Sequence, residues 1–165
     1  MEKAGSKFFS WLDKFETFAV TVLLGTMTIV VFLQVFSRFV LKGSLPWSEE
    51  VARYLMVWAV FIGASIGAKT GAHIGVEAFV RLFPPAFQRP MIVLSCFFTV
   101  LFCGLVVVLS SKVVLNIYQA EQVSPAMEMP MHWAYLAVPV GALLMSIRFI
   151  QAAVSNWRRE GGISA

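Results

Sequence analysis

The chemically most informative residues of this sequence are the charged side chains inside an apolar stretch, residues 46–75. Glu49, Glu50 and Arg53 stand close together, and the next charged residue is Lys69. A helix that crosses a bilayer needs roughly 20 residues, so Glu50 and Arg53 must lie at or just inside the membrane boundary. Charges at that depth are costly and usually pair with another charge or with a partner protein. The stretch therefore predicts an ion-pairing or subunit-contact site.

The helix predicted for this stretch has two unlike sides at 100° per residue. One side is largely aromatic and carries Trp47, Glu50, Tyr54, Trp58, Phe61 and Ser65. The other carries Glu49, Met56, Gly63 and Gly67, and the spacing of the two glycines lets a second helix approach closely. Ser48 is expected to cap the helix at its N-terminus. Two interpretations stay open: packing inside the chain's own bundle, or an additional contact with another subunit.

Residues for other kinds of chemistry are sparse. His73 follows a glycine-containing break, where a structural hydrogen bond is expected rather than a cofactor. His132 falls on the opposite side of the membrane, whereas a b-type haem needs paired histidines at one depth. Metal-ligand spacing and a glycine-rich phosphate loop are also missing from the sequence. The sequence therefore predicts a protein that is not an enzyme and that has no cofactor or metal.

The composition predicts an integral membrane protein. Of the 165 residues, 59% are hydrophobic and 13% are charged, against about 45–50% and about 25% in a soluble domain. The basic residues lie scattered at the ends of apolar segments and form no patch with interleaved aromatics. We therefore expect the lipid bilayer as a partner and exclude nucleic acid.

Four charge-poor runs predict an all-α fold with four transmembrane helices. The spans are expected at about 17–38, 50–68, 90–111 and 129–147. The first run is too long for the apolar core of a signal peptide, so we interpret it as an uncleaved span. The segment at about 74–83 is amphipathic and too short to span, which favours an interfacial helix. Residues 1–165 are predicted to form one four-helix membrane domain.

The distribution of basic residues predicts the orientation. The N-terminus, the 69–89 loop and the C-terminus together carry nine, and the opposite side carries four. Basic residues accumulate on the cytoplasmic side, so both termini are expected in the cytoplasm. Arg38 is then expected to lie at the outer end of the first hairpin, clustered with Glu49, Glu50 and Arg53.

Two motifs resemble those of a known family. The first has charged and aromatic residues at fixed spacing: Trp47-x-Glu49-Glu50-x-Ala52-Arg53-x4-Trp58-x4-Gly63-Ala64, followed by His73-Ile74-x-Val76. The second precedes and opens the fourth span: Ser124-Pro125-Ala126, then Pro130-Met131-x-x-Ala134-Tyr135-x-x-Val138-Pro139-x-Gly141. Together they resemble the small (Q-type) membrane subunit of tripartite ATP-independent periplasmic (TRAP) transporters. Met127-Glu128-Met129 departs from the apolar run usual in that family.

The resemblance implies a bacterial inner-membrane complex that imports an organic acid, such as sialic acid or a C4-dicarboxylate, on a sodium gradient. Its implied partners are a large multi-span membrane subunit, which holds the substrate and sodium, and a periplasmic substrate-binding protein. The small subunit would bind the large one and widen its scaffold. Glu50 and Arg53 would hold helix ends or the subunit contact, and Trp47 and Trp58 would pack at the interface or membrane boundary.

Two alternatives from other classes remain. One is a membrane anchor of a respiratory or haem-containing complex, which a Soret band in the purified protein would favour. The other is a small homodimeric exporter, which would support transport in liposomes by itself.

Overall fold

The computed structural model of the chain describes residues 2–43, 45–69 and 84–160. These residues form five helices, four long and one short: α1 (Glu2–Phe39), α2 (Pro46–Lys69), α3 (Pro85–Gln119), α4 (His132–Tyr135) and α5 (Ala137–Glu160). The predicted interfacial helix at about 74–83 lies outside the described residues.

Four stretches of these helices are long and apolar enough to cross a membrane, as the sequence predicted. They are Phe9–Phe39, Pro46–Ala68, Leu94–Gln119 and His132–Gln151. The first three are longer than the roughly 20 residues that a bilayer requires, so their helices extend beyond the hydrocarbon layer or cross it at a tilt. The fourth begins at His132, three residues after the predicted start.

The turn between α1 and α2 is closed by backbone hydrogen bonds. The amide of Gly43 donates to the Ser37 carbonyl at 3.1 Å, and Lys42 adopts a left-handed conformation with φ of 51°. The prediction that Ser48 caps α2 is wrong, because the helix already begins at Pro46. The buried Ser48 hydroxyl instead donates to the Leu45 carbonyl at 2.7 Å within the first turn.

The fourth spanning segment is interrupted at Leu136, between α4 and α5. Pro139 explains the interruption, because it has no amide hydrogen to donate to the carbonyl four residues earlier and its ring crowds that carbonyl. The chain nevertheless keeps its direction through hydrogen bonds from Leu136 to His132 and from Val140 to Leu136, at 2.9 and 3.2 Å.

The long helices are arranged in a row, in the order α1, α2, α5, α3. Each contacts its neighbour in that order, and within the described residues α1 and α3 do not contact each other. The short α4 lies against α2, α3 and α5. The fold is therefore an open array of helices with α1 and α3 at its two edges, and α2 and α5 occupy its centre.

Alanine is the most frequent buried apolar residue among the described residues of this row. The buried apolar residues include five alanines: Ala59, Ala68, Ala134, Ala137 and Ala142. Small side chains let helix backbones approach closely in a membrane, where contact depends on van der Waals packing. Gly141 on α5 is the tightest case, because a Cβ built there would lie 2.5 Å from the Cβ of Phe61 on α2.

Candidate functional site

Helix α2 carries most of the predicted site residues, and the structure divides them between two directions. Some point to other elements of this chain, at both ends of the helix. Others lie on a largely exposed surface, which we call the outward face of α2 and define as Glu49, Arg53, Met56, Val60 and Gly63.

At the N-terminal end of α2, Glu50 anchors the loop that follows α3. The buried hydroxyl of Ser124 donates to the Glu50 carboxylate, and the amide of Ala126 lies 3.4 Å from both carboxylate oxygens. The loop is itself a small hairpin, in which the Ser124 amide donates to the Met129 carbonyl at 2.9 Å and the Glu128 amide to the Ser124 carbonyl at 3.0 Å. Glu50 thus forms a contact within the chain.

Trp58 also makes a contact within the chain. Its indole nitrogen donates to the backbone carbonyl of Trp133 on α4 at 3.1 Å. Trp133 in turn stands beside His132, whose ring packs edge-on against Tyr118 at a centroid distance of 5.3 Å. These rings form an aromatic cluster at the same end of the row as Glu50, where amphipathic rings suit a membrane–water interface.

At the other end of α2, a buried ionic network joins three helices. Arg148 of α5 and Glu16 of α1 are 0% and 1% exposed. The Arg148 guanidinium donates to Glu16 through Nε, at 3.1 Å from Oε2, and also through Nη2. The same Nη2 lies 2.8 Å from Oδ1 of Asp13. Arg148 therefore has two carboxylate partners, both on α1.

Two neutral side chains complete this network. Ser65 of α2 donates its hydroxyl to Glu16 Oε1 at 2.8 Å, and Arg148 Nη1 donates to Gln151 Oε1 at 2.9 Å. A buried charge is tolerated when it is paired and its remaining polar atoms are hydrogen-bonded. The Arg148 and Glu16 side chains meet both conditions, and the network fixes the positions of α1, α2 and α5 relative to one another.

Sequence reasoning missed this network, although a signal for it exists. Glu16 directly precedes the charge-free run of the first span, and Arg148 directly follows that of the fourth. Ser65 lies four residues before Lys69, which ends the second. Four alternating spans place all three positions at the same side of the membrane, so their common depth could have been derived from topology.

The outward face begins with an exposed ion pair. Arg53 Nη2 lies 3.6 Å from Glu49 Oε1, and the two side chains are 67% and 68% exposed. Met56 and Val60 continue the face as exposed apolar side chains one and two turns further along. Gly63 follows, and a Cβ built on it would meet nothing within 4 Å. The face therefore combines a charge pair, apolar side chains and a notch.

The structure places the other predicted residues separately. Arg38 is exposed and has no ion pair with any residue that the structure describes, and its expected grouping with Glu49, Glu50 and Arg53 stays a prediction. Trp47 is exposed at the start of α2, and Gly67 is half-buried near its end. His73 lies outside the described residues. Within residues 2–43, 45–69 and 84–160, no three His, Cys, Asp or Glu side chains are grouped as metal ligands.

Comparison with known proteins identifies relatives over most of the chain. The family model for the DctQ component of tripartite ATP-independent periplasmic transporters matches residues 27–159. The C4-dicarboxylate TRAP transporter small permease protein DctQ of Rhodobacter capsulatus is 30% identical over 86% of this chain and 76% of its own length. The sialic acid TRAP transporter small permease protein SiaQ of Vibrio cholerae is 25% identical over 93% of this chain and 88% of its own.

A third relative is much longer than this chain. The isethionate TRAP transporter permease protein DctMQ of Oleidesulfovibrio alaskensis is 29% identical over 86% of this chain, but the match covers 23% of its own length. In that protein the sequence similar to this chain is part of a larger permease polypeptide.

Proposed function

This chain belongs to the DctQ component family of tripartite ATP-independent periplasmic (TRAP) transporters, and on that premise we propose that it is the scaffold subunit that binds and stabilises the large transport subunit. As a family member it is a small TRAP permease subunit, a component of a transporter, and a multi-pass protein of the inner membrane. Family membership also implies a large membrane partner.

The open row of helices carries the proposal. Because α1 and α3 stand at opposite edges and do not contact each other within the described residues, the four spans do not close around a passage. Transporters usually bind their substrate in the middle of the membrane, between packed helices that move against each other. The row is held by polar contacts at both ends of α2, which suits a static support. The helices that move during transport would then belong to the partner subunit.

The longer relative supports the same division of labour. In that relative, the sequence homologous to this chain occupies 23% of the permease polypeptide, so it is covalently joined to the rest of the permease. We infer that the separate chain reaches the same arrangement by binding its partner within the membrane.

The proposal extends to the solute, the coupling ion, the delivery protein and the orientation of the chain. The transported solute is an organic acid, for which the C4-dicarboxylate and sialic acid named for two relatives are the first compounds to test. Sodium drives uptake and binds the large subunit, whereas this chain holds no cofactor. A periplasmic binding protein delivers the solute, and both termini of this chain face the cytoplasm.

Reconstitution tests the proposal. The large subunit is placed in proteoliposomes with or without this chain, the soluble binding protein is added outside, and uptake of labelled succinate and sialic acid is measured under an inward sodium gradient. We expect co-purification of the two membrane subunits and uptake that falls at least tenfold without this chain. Uptake by this chain alone, or a haem Soret band in its spectrum, would contradict the proposal.

A further inference from the structure

We propose that the outward face of α2 is the surface on which a transmembrane helix of the large permease subunit docks. This inference rests on the proposed function and adds to it the position of the contact. Neighbouring residues of α2 have different surroundings. Glu50 and Trp58 bind other parts of this chain, whereas the Glu49–Arg53 pair is exposed.

The depth of the ion pair favours a protein neighbour over lipid chains. A crossing of about 20 residues that ends at Lys69 begins at about Glu49, and at 1.5 Å per residue Arg53 then lies about 6 Å inside the hydrocarbon boundary. Each side chain of the pair keeps about two thirds of its surface uncovered, and the two are 3.6 Å apart. Charged groups in such a position generally face protein or water and pair with further polar groups.

Gly63 supplies the second independent observation. Gly141 is required by the chain's own packing against Phe61, but a Cβ on Gly63 would touch nothing. The packing among the described residues therefore does not require a glycine at position 63. On a spanning helix, such a position lets the backbone of a second helix come close.

Glycines with an open Cβ position also occur on α1 and α3, at Gly25 and Gly104, so the outward face differs from the other exposed surfaces by combining such a glycine with an ion pair. The spans of α1 and α3 expose mainly large apolar side chains, such as Phe18, Phe32 and Phe102, which lipid chains can cover. The outward face of α2 would instead suit a partner helix that has hydrogen-bonding groups at the level of Arg53 and a side chain that packs over Gly63. Because a relative carries the homologous sequence within one longer permease chain, we assign that helix to the large subunit.

Site-specific photo-crosslinking in the membrane-embedded complex tests the position. A benzophenone amino acid replaces Val60 on the outward face or, as the control, Phe102 on α3; both side chains are exposed. We expect a covalent adduct with the large subunit from position 60, at least tenfold stronger than from position 102. An adduct between two copies of this chain at position 60, or adducts with lipid alone, would overturn the proposal.

A steric variant gives an independent readout. Gly63→Leu is compared with Gly104→Leu, because a Cβ at either glycine meets nothing within 4 Å in the chain itself. We expect the first to lower the amount of co-purified large subunit at least tenfold and the second to leave it unchanged, with equal thermal stability of both isolated chains. If the wild-type chain binds the large subunit but Gly63→Leu binds it equally well, the face is wrong and the proposed function stands. If the wild-type chain does not bind, the proposed function fails as well.

Discussion

Replacing Arg148 with methionine is the most direct test of how the row is held together. The variant keeps a long unbranched side chain but removes the guanidinium that bonds Glu16, Asp13 and Gln151. Glu16 is 1% exposed, so its carboxylate would stay buried with Ser65 as its one described partner. Asp13 is less affected, because a third of its side chain is exposed.

The expected cost follows from the burial of the pair. Removing one partner of a buried ion pair typically costs about 3–5 kcal/mol, because the other charge is left without compensation. With about 2–4 °C of melting temperature per kcal/mol for a chain of this size, Arg148→Met should melt about 10 °C below the wild type. The double variant Glu16→Gln/Arg148→Met leaves no buried charge on either residue, so more than half of the loss should be recovered.

Thermal unfolding in a mild detergent, followed by tryptophan fluorescence, measures these differences. Gln151→Ala is the matched control, since it removes one neutral partner of Arg148 and should cost about 1–2 kcal/mol. Our reasoning is refuted if Arg148→Met melts within about 2 °C of the control, because that difference corresponds to about 1 kcal/mol or less. The single variant Glu16→Gln is measured as well. Our reasoning is equally refuted if the double variant loses as much stability as Glu16→Gln and Arg148→Met lose together, because coupled residues deviate from additivity.

Two further substitutions probe the contacts of α2. Gly141→Ala should destabilise the chain by about 1–3 kcal/mol, because the added Cβ would lie 2.5 Å from that of Phe61, whereas Gly25→Ala meets nothing within 4 Å; melting temperatures of the two variants check this, and equal values would contradict it. Glu50→Gln should speed amide hydrogen exchange in the loop after α3, because it weakens the carboxylate contacts of that loop. Glu49→Gln is its control, and faster exchange in both variants would argue against a specific anchor.

The four spans could be predicted because a bilayer imposes a simple rule on sequence. Long runs without charge are rare in soluble proteins, and their ends at Ser37, Lys69, Lys112 and Arg148 are visible in the sequence. The order of the helices in the row could not be predicted in the same way. It depends on which faces fit together, and small residues such as Ala59 and Gly141 give a packing preference without identifying the neighbour.

For a related reason, the sequence could not predict which residues of α2 contact this chain and which lie on its outward face. Glu49 and Glu50 are adjacent, so they point about 100° apart on a helix, and either could have been the residue with an internal partner. Ser124, which binds Glu50, lies far along the chain in a loop whose hairpin geometry depends on the left-handed residue Glu128. The family resemblance implied that Trp58 packs at the interface or membrane boundary, but its acceptor is a backbone carbonyl that carries no residue-type signal.

The order α1, α2, α5, α3 has a mechanical consequence. In a closed bundle every helix has at least two neighbours, so a disturbance can travel either way around. Here the two edge helices do not contact each other within the described residues, so a displacement of α1 reaches α3 only through α2, α5 or the short α4. Substitutions confined to opposite edges should consequently act independently of each other, and communication between α1 and α3 must pass through these inner helices.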